Sequence, residues 1–322
     1  MLGELNPDQI RKTSILLGIP ADFVRKDYFV TKAIQTLTNF EDDFFELIFQ
    51  GGTSLSKGYQ IIHRLSEDVD FRVIQKASAN TLGKEVRRKK LRDYRYALVE
   101  ALRNAAFYIP DDAIKVFYEG RFMSIQASFE DSNHISYLKP HVAIECFFGE
   151  LALIPQKIEI TSLVKQILGE ECAHSFFPVS CVALDETAAE KWVALTRRVS
   201  GAQIQPRQSD KQLVRHIYDL YHLNNQGLLT GQYRDIVASI IEKDRVLYKT
   251  SNQDYLNDPL RASEIALTIL SKNPEWRDHW NFFLEQMVYE KSKPSFDEAF
   301  LQLSQFSQTI LSHVQTEPVT SD

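Results

Sequence analysis

No run of apolar residues in this 322-residue chain approaches the roughly 18 that a membrane-spanning helix needs. The opening residues, Met1-Leu2-Gly3-Glu4, carry neither a basic nor an apolar stretch, so no secretory signal is expected. Cysteine is scarce. Cys146, Cys172 and Cys181 are too few for a disulfide framework and lack the paired short spacings of a zinc site. Free thiols in a reducing cytoplasm are the expectation. There is no internal repeat and no low-complexity linker, and only the short polar stretch from Thr316 to Asp322 has the composition of a disordered tail. Positive charge is not in excess: 37 Lys and Arg face 43 Asp and Glu, for a net charge of −6. That balance argues against a protein that coats nucleic acid indiscriminately. What is present, 44% hydrophobic and 25% charged residues, suits a well-packed globular protein, and the length favours two compact units.

A local basic patch survives the acidic average, because salt confines surface charge effects to about 8–10 Å. From Lys84 to Arg95 the sequence KEVRRKKLRDYR has seven basic and two acidic residues. A solvated helix face explains such a run as readily as contact with phosphates does.

Asn6-Pro7 reads as an N-cap followed by proline at the first helical position, and Pro20 opens a second helix through Leu37. Phe44–Phe49 (FFELIF) suits a buried strand. Gly51-Gly52 interrupts it, and a helix is expected from Thr53 to His63. Asp68–Ile74 alternates like a strand, and Thr81–Phe107 reads as a long charged helix. Arg121–Glu130 and His141–Phe148 form an alternating strand pair joined by residues 131–140. Further strands are expected at Lys157–Ile160 and Pro178–Leu184, with a short helix between them. From Asp185 the pattern turns helical, with Asp185 or Thr187 as a cap and Gly201–Ser209 as the clearest loop. The reading is α+β: a mixed sheet flanked by helices over residues 1–185, then a mainly helical domain over residues 186–322.

The chemistry concentrates between Gly51 and Asp70. A strand leading through Gly51-Gly52 into a helix at Thr53-Ser54 offers a phosphate close backbone approach, unpaired amides and two hydroxyls. Sixteen residues after Gly52 stands Asp68-Val69-Asp70. Residues two apart on a strand share a face, so both carboxylates project together while Val69 and Phe71 face the core. Adjacent carboxylates repel unless a cation lies between them, and hard oxygen ligands suit Mg²⁺ or Mn²⁺. Two solvated acids on an edge strand are the plainer alternative. A two-metal site wants a third carboxylate. Glu145, between Ile144 and Cys146 in an apolar strand, is the candidate, since an acid buried there is costly without a cation. Glu150 and Asp131 read as ordinary surface acids.

These residues carry a resemblance to the AbiEii/AbiGii family, the nucleotidyltransferase toxins of type IV toxin–antitoxin and abortive-infection systems, over residues 20 to 225. It rests on Val24-Arg25-Lys26-Asp27-Tyr28, on Phe49-Gln50-Gly51-Gly52-Thr53-Ser54-Leu55-Ser56-Lys57, and on Arg64-Leu65-Ser66-Glu67-Asp68-Val69-Asp70-Phe71. Further along, Ala189-Glu190-Lys191-Trp192 with Arg197 and Arg198, and Arg215-His216-Ile217-Tyr218-Asp219-Leu220, match the family's two later helices. His216 departs from the pattern, standing where the family usually has aspartate.

The resemblance implies that Asp68 and Asp70 hold metal. It implies that Lys191 and Asp219 complete the site from the helical half, and that Arg198 helps hold the nucleotide with Gly51, Gly52, Thr53 and Ser54. Ser66 would sit beside the metal, where related toxins can be silenced by serine modification. Lys191 would meet the charge on a transferred phosphoryl group, and Asp219 would orient Lys191 or act on the incoming hydroxyl. The expected activity is metal-dependent transfer of a nucleotide from a nucleoside triphosphate to RNA, such as tRNA, in a toxin of the bacterial cytoplasm. Its partner would be a separate cognate antitoxin that forms no tight stoichiometric complex with it. A sugar-nucleotide glycosyltransferase using Asp-x-Asp, or a non-catalytic nucleotide-binding relative, are the alternatives.

Overall fold

The computed structural model describes residues 2–130, 138–202, 211–248 and 252–316. Asp131, most of the connection at 131–140, most of the loop expected at 201–209 and the polar tail after residue 316 lie outside the described residues. The chain divides into two compact units, one of residues 1–60 and 65–182, the other of residues 61–64 and 183–322.

In the first unit α1 (Pro7–Leu17) begins where Asn6 accepts hydrogen bonds from the amides of Asp8 and Gln9, and it ends at Gly18 in the left-handed region. This is the cap that Asn-Pro specifies. Next come α2 (Ala21–Thr38) and β1 (Phe45–Gln50). The chain then makes a single helical turn, α3 (Gly51–Thr53), which continues as a π-turn over Ser54–Gly58. The helix expected to reach His63 therefore stops early. Tyr59 donates its amide to the Ser54 carbonyl, five residues back, and Gln60 adopts a positive φ of 55° that no helix continues through.

After β2 (Asp68–Gln75), α4 spans Lys84–Asn104. β3 (Ile114–Phe117), β4 (Phe122–Ala127), β5 (Val142–Phe148), β6 (Gln156–Ile160), α5 (Leu163–Leu168) and β7 (Phe177–Cys181) complete the unit. The seven strands form one mixed sheet in the order β3-β4-β5-β2-β1-β7-β6, parallel at β2–β5 and β1–β7. β3 has no counterpart in the sequence reading. As an exposed edge strand it has no buried side to impose alternation. One side of the sheet presents Val69, Phe71, Ile144 and Cys146 to a core shared with Val30, Ile34 and Leu37 of α2 and Tyr94, Leu98 and Leu102 of α4.

The second unit is helical: α6 (Leu184–Ala202), α7 (Val214–Asn225), α8 (Tyr233–Leu247), α9 (Gln253–Asn257), α10 (Pro259–Lys272), α11 (Glu275–Met287) and α12 (Phe296–Thr316). Gly201 and Ala202, expected in a loop, extend α6 instead. Asp185 lies inside α6 and does not cap it. Its buried carboxylate accepts from the amides of Thr230, Gly231 and Tyr233, closing the start of α8. Trp192 is fully buried and donates to Ser307 at 2.9 Å, and Trp280 donates to the Pro294 carbonyl at 3.1 Å. Among the described residues no helix is long and apolar enough to cross a membrane, and all three cysteines are free and buried.

Candidate active site

β1 and β2 are antiparallel, with Gln50 opposite Asp70, so β1 ends where β2 begins and Gly51 is delivered to the Asp70 carboxylate. Gly51 has φ +79°, and a Cβ built on it would stand 2.2 Å from Asp70 Oδ2. The positive φ favours glycine, and any side chain there would have to displace the Asp70 carboxylate. The turn's hydroxyls look inward. Thr53 Oγ1 lies 2.7 Å from Ser66 Oγ and also donates to the Asp68 carbonyl, while Ser54, with no exposed surface, donates to the Gly51 carbonyl at 2.9 Å. Ser54 is thus a brace of the turn, and what the turn leaves for an anion is backbone amide. Arg72, the next residue on this side of β2, donates to Gln50 Oε1 (2.9 Å) and the Glu150 carbonyl (3.1 Å).

Asp68 and Asp70 share one face of β2, and β5 runs alongside with Glu145 in register with Asp70. Glu145 is exposed, which corrects the premise that it is buried among apolar neighbours. Ile144 and Cys146 take the core side, and alternation sends Glu145 to the other. Its environment still penalises charge: desolvation first, then the nearby Asp68 carboxylate, raise its carboxyl above the usual value. Lys139 opposes this, and its Nζ lies 2.7 Å from Asp68 Oδ1.

Hard oxygen donors on one face, mutually repelling and approached by a glycine backbone, fit a divalent cation in their chemistry. Among the described residues no three His, Cys, Asp or Glu side chains are already gathered to hold one. A divalent ion held here would need substrate phosphates and water to complete its shell.

In the second unit the short segment Ile61–Arg64 is fastened from both sides. Gln226 Nε2 donates to the Ile61 carbonyl (2.9 Å), the Tyr289 amide to His63 (3.0 Å), and Arg64 bridges to Val288. Arg64 then grips Asp219 with a two-pronged bond, Nε to Oδ1 at 2.7 Å and Nη2 to Oδ2 at 2.8 Å. Lys191 Nζ lies 2.7 Å from the same Oδ2. Asp219 has no exposed surface. Burial alone would raise its carboxyl, but the charges of Arg64 and Lys191 outweigh that and hold it well below the ordinary carboxylate range. A carboxylate held this way is a weak base.

His216 is kept neutral, first by desolvation and then by Lys191, with Arg198 and Arg64 adding and Asp219 opposing. Its buried Nδ1 has no hydrogen-bond partner among the described residues. Arg198 is exposed two turns along α6 from Lys191, whereas Arg197 pairs with Asp244 and stacks on Tyr248 at 3.9 Å. Arg64 was visible in the sequence only as the first residue of its motif, with no role attached. Lys139 carried no sequence signal at all.

The family described as nucleotidyl transferase AbiEii toxin, type IV TA system, matches residues 35–302. Among solved structures the fold is similar to MenT4, a nucleotidyltransferase toxin from Mycobacterium tuberculosis H37Rv, with a TM-score of 0.51 at 13% identity over 96% of this chain and 99% of that one. No curated protein matches by sequence.

Proposed function

The chain belongs to the AbiEii family of nucleotidyltransferase toxins of type IV toxin–antitoxin systems, and we propose that it moves a nucleotide from a nucleoside triphosphate onto RNA at a divalent-metal site on Asp68 and Asp70. Membership makes it an enzyme of the nucleotidyltransferase class, which removes glycosyl transfer and a merely non-catalytic role as readings. The observation that carries the proposal is the closure of Gly51 on Asp70: one strand pairing brings a glycine backbone, which suits a phosphate, against a carboxylate, which suits a metal.

In this reading Asp68 and Asp70 hold Mg²⁺ or Mn²⁺, with Glu145 as the third carboxylate, and the ion supplies Lewis-acid stabilisation of phosphate charge. Gly51 and Gly52 offer amides to the triphosphate, with Thr53 and Ser54 bracing their turn. Lys191 faces the charge on the transferred group and Arg198 holds nucleotide phosphate. Asp219 orients Lys191 and takes no proton, because both its oxygens are already bound to cations. Ser66 lies two residues before Asp68 and bonds Thr53, so an anionic modification there would repel the incoming triphosphate and silence the enzyme. A separately encoded antitoxin, without a tight stoichiometric complex, and action in the cytoplasm complete the proposal.

RNA, such as tRNA, is favoured as acceptor by α4. Arg88, Arg92 and Tyr96 recur every four residues on its exposed side, and Arg95 donates to the Gly120 carbonyl at 2.6 Å, tying the helix to a hairpin that exposes Tyr118. Exposed cations beside open rings suit phosphates and bases. The test is incubation of the purified protein with each labelled nucleoside triphosphate and total RNA. Label enters RNA, and Asp70→Asn lowers the rate roughly a hundred- to a thousandfold without lowering Tm. Undiminished transfer by Asp70→Asn would sink the site, and label appearing on protein alone would sink the RNA acceptor.

A further inference from the structure

Lys26 has no exposed surface, yet the reaction as described gives it nothing to do. Its ammonium donates to the carbonyls of Lys139 (2.6 Å) and His141, the residues on either side of Pro140. A buried ammonium is costly unless its donors are used, and here they are spent on one turn of backbone. Burial lowers the pKa of Lys26 to about 8, against the raising charges of Glu67 and Asp68.

What that turn presents is the side chain of Lys139. The Lys139 amide reaches towards Glu67 Oε2 at 3.4 Å, and its Nζ lies 2.7 Å from Asp68 Oδ1. The two ends of this side chain differ. Its backbone is held by a buried residue, whereas the side chain itself is 47% exposed and so able to exchange partners. Lysine is a compact charge on a flexible stem, suited to such an exchange.

A divalent ion held by Asp68 would share that carboxylate with this ammonium. Two cations on one oxygen repel, and the ammonium is the one free to swing away. Its backbone stays pinned, so it remains within a side chain's length of Asp68. The anion that comes with the metal is the triphosphate. We propose that Lys139 is a further phosphate-binding residue of the transfer site, held over Asp68 by Lys26 and passed from that carboxylate to the nucleotide's phosphates when metal and nucleotide bind. This rests on the reading of Asp68 as a metal ligand. Lys26 acts through Lys139 and is a positioning residue.

Lys139→Gln separates the two partners of the ammonium, because its effects carry opposite signs. Mn²⁺ alone, titrated by electron paramagnetic resonance, binds the variant several-fold more tightly, since a competing cation is gone. A non-hydrolysable nucleoside triphosphate analogue with Mg²⁺, followed by equilibrium dialysis, binds about tenfold or more weakly, since a charge-assisted bond to phosphate is gone. Lys26→Met, measured well below its own Tm, shifts both constants in the same directions by less. Lys115→Gln, an exposed lysine on β3, leaves both unchanged. Unaltered or weakened Mn²⁺ binding by Lys139→Gln overturns the proposal, and so does unaltered analogue binding. If Asp68→Asn also keeps full Mn²⁺ affinity, the metal reading of Asp68 has failed instead. If Asp68→Asn loses Mn²⁺ while Lys139→Gln shifts nothing, only the proposal has.

Discussion

Asp219 meets three donor groups and has no exposed surface, and its energetics follow from that alone. Its folded carboxyl titrates below its unfolded value, so the stability it contributes is complete above the ordinary aspartate value of about 3.9 and is lost as pH falls from there through the folded value. Urea unfolding of the wild type followed from pH 6 downward is expected to show this loss, and Asp219→Asn to show a flatter dependence over the same window. Asp219→Ala leaves Arg64 and Lys191 facing each other in the interior and should cost about 3–5 kcal/mol. An alanine variant as stable as wild type would mean that the two cations find another partner. Lys191 and Asp219 were identifiable only through the family's spaced motifs. Arg64 needed the structure, because a residue 155 positions from its partner leaves no periodic trace in the chain.

Elements with a buried face were readable, and those without one were not. α1, α2, β2 and β5 alternate or recur because one side of each meets a core, which is what a sequence pattern records. β3 has no such side. The turn after Gly51 was readable as a break but not as a π-turn, since its geometry is fixed by packing rather than by composition. α4 lies between these cases: Tyr94, Leu98 and Leu102 gave the helix, while the use of its charged side depends on what surrounds it. If that side carries RNA, Arg88→Ala with Arg92→Ala should raise the KM for RNA. The slope of log affinity against log salt should become shallower by about 0.7–0.9 for each phosphate contact removed. The KM for the nucleoside triphosphate should hold. An unchanged salt slope would return α4 to being a solvated face.

At the scale of the whole chain, the second unit takes in four residues from early in the sequence, Ile61–Arg64. They bring the bridge to Val288, the acceptor for Gln226 and the guanidinium that neutralises Asp219. A fragment of residues 183–322 lacks all three and keeps a fully buried carboxylate with Lys191 as its remaining partner among these. We expect circular dichroism of that fragment to show no cooperative melt. A melt matching the full chain would show that Ile61–Arg64 adds nothing to the unit's stability.

By itself the sequence determined the α+β class, the placement of most strands, and the pairing of Gly51-Gly52 with Asp68-Val69-Asp70, because each is written in local periodicity and short spacing. Only the tertiary structure decided that Glu145 stands open beside Asp70, that Ser54 and Asp185 brace turns, that Arg64 shares Asp219 with Lys191, and that Lys139 rests on Asp68. Those facts depend on strand order and on contacts between distant residues. The chain has no local free-energy difference with which to record them in advance.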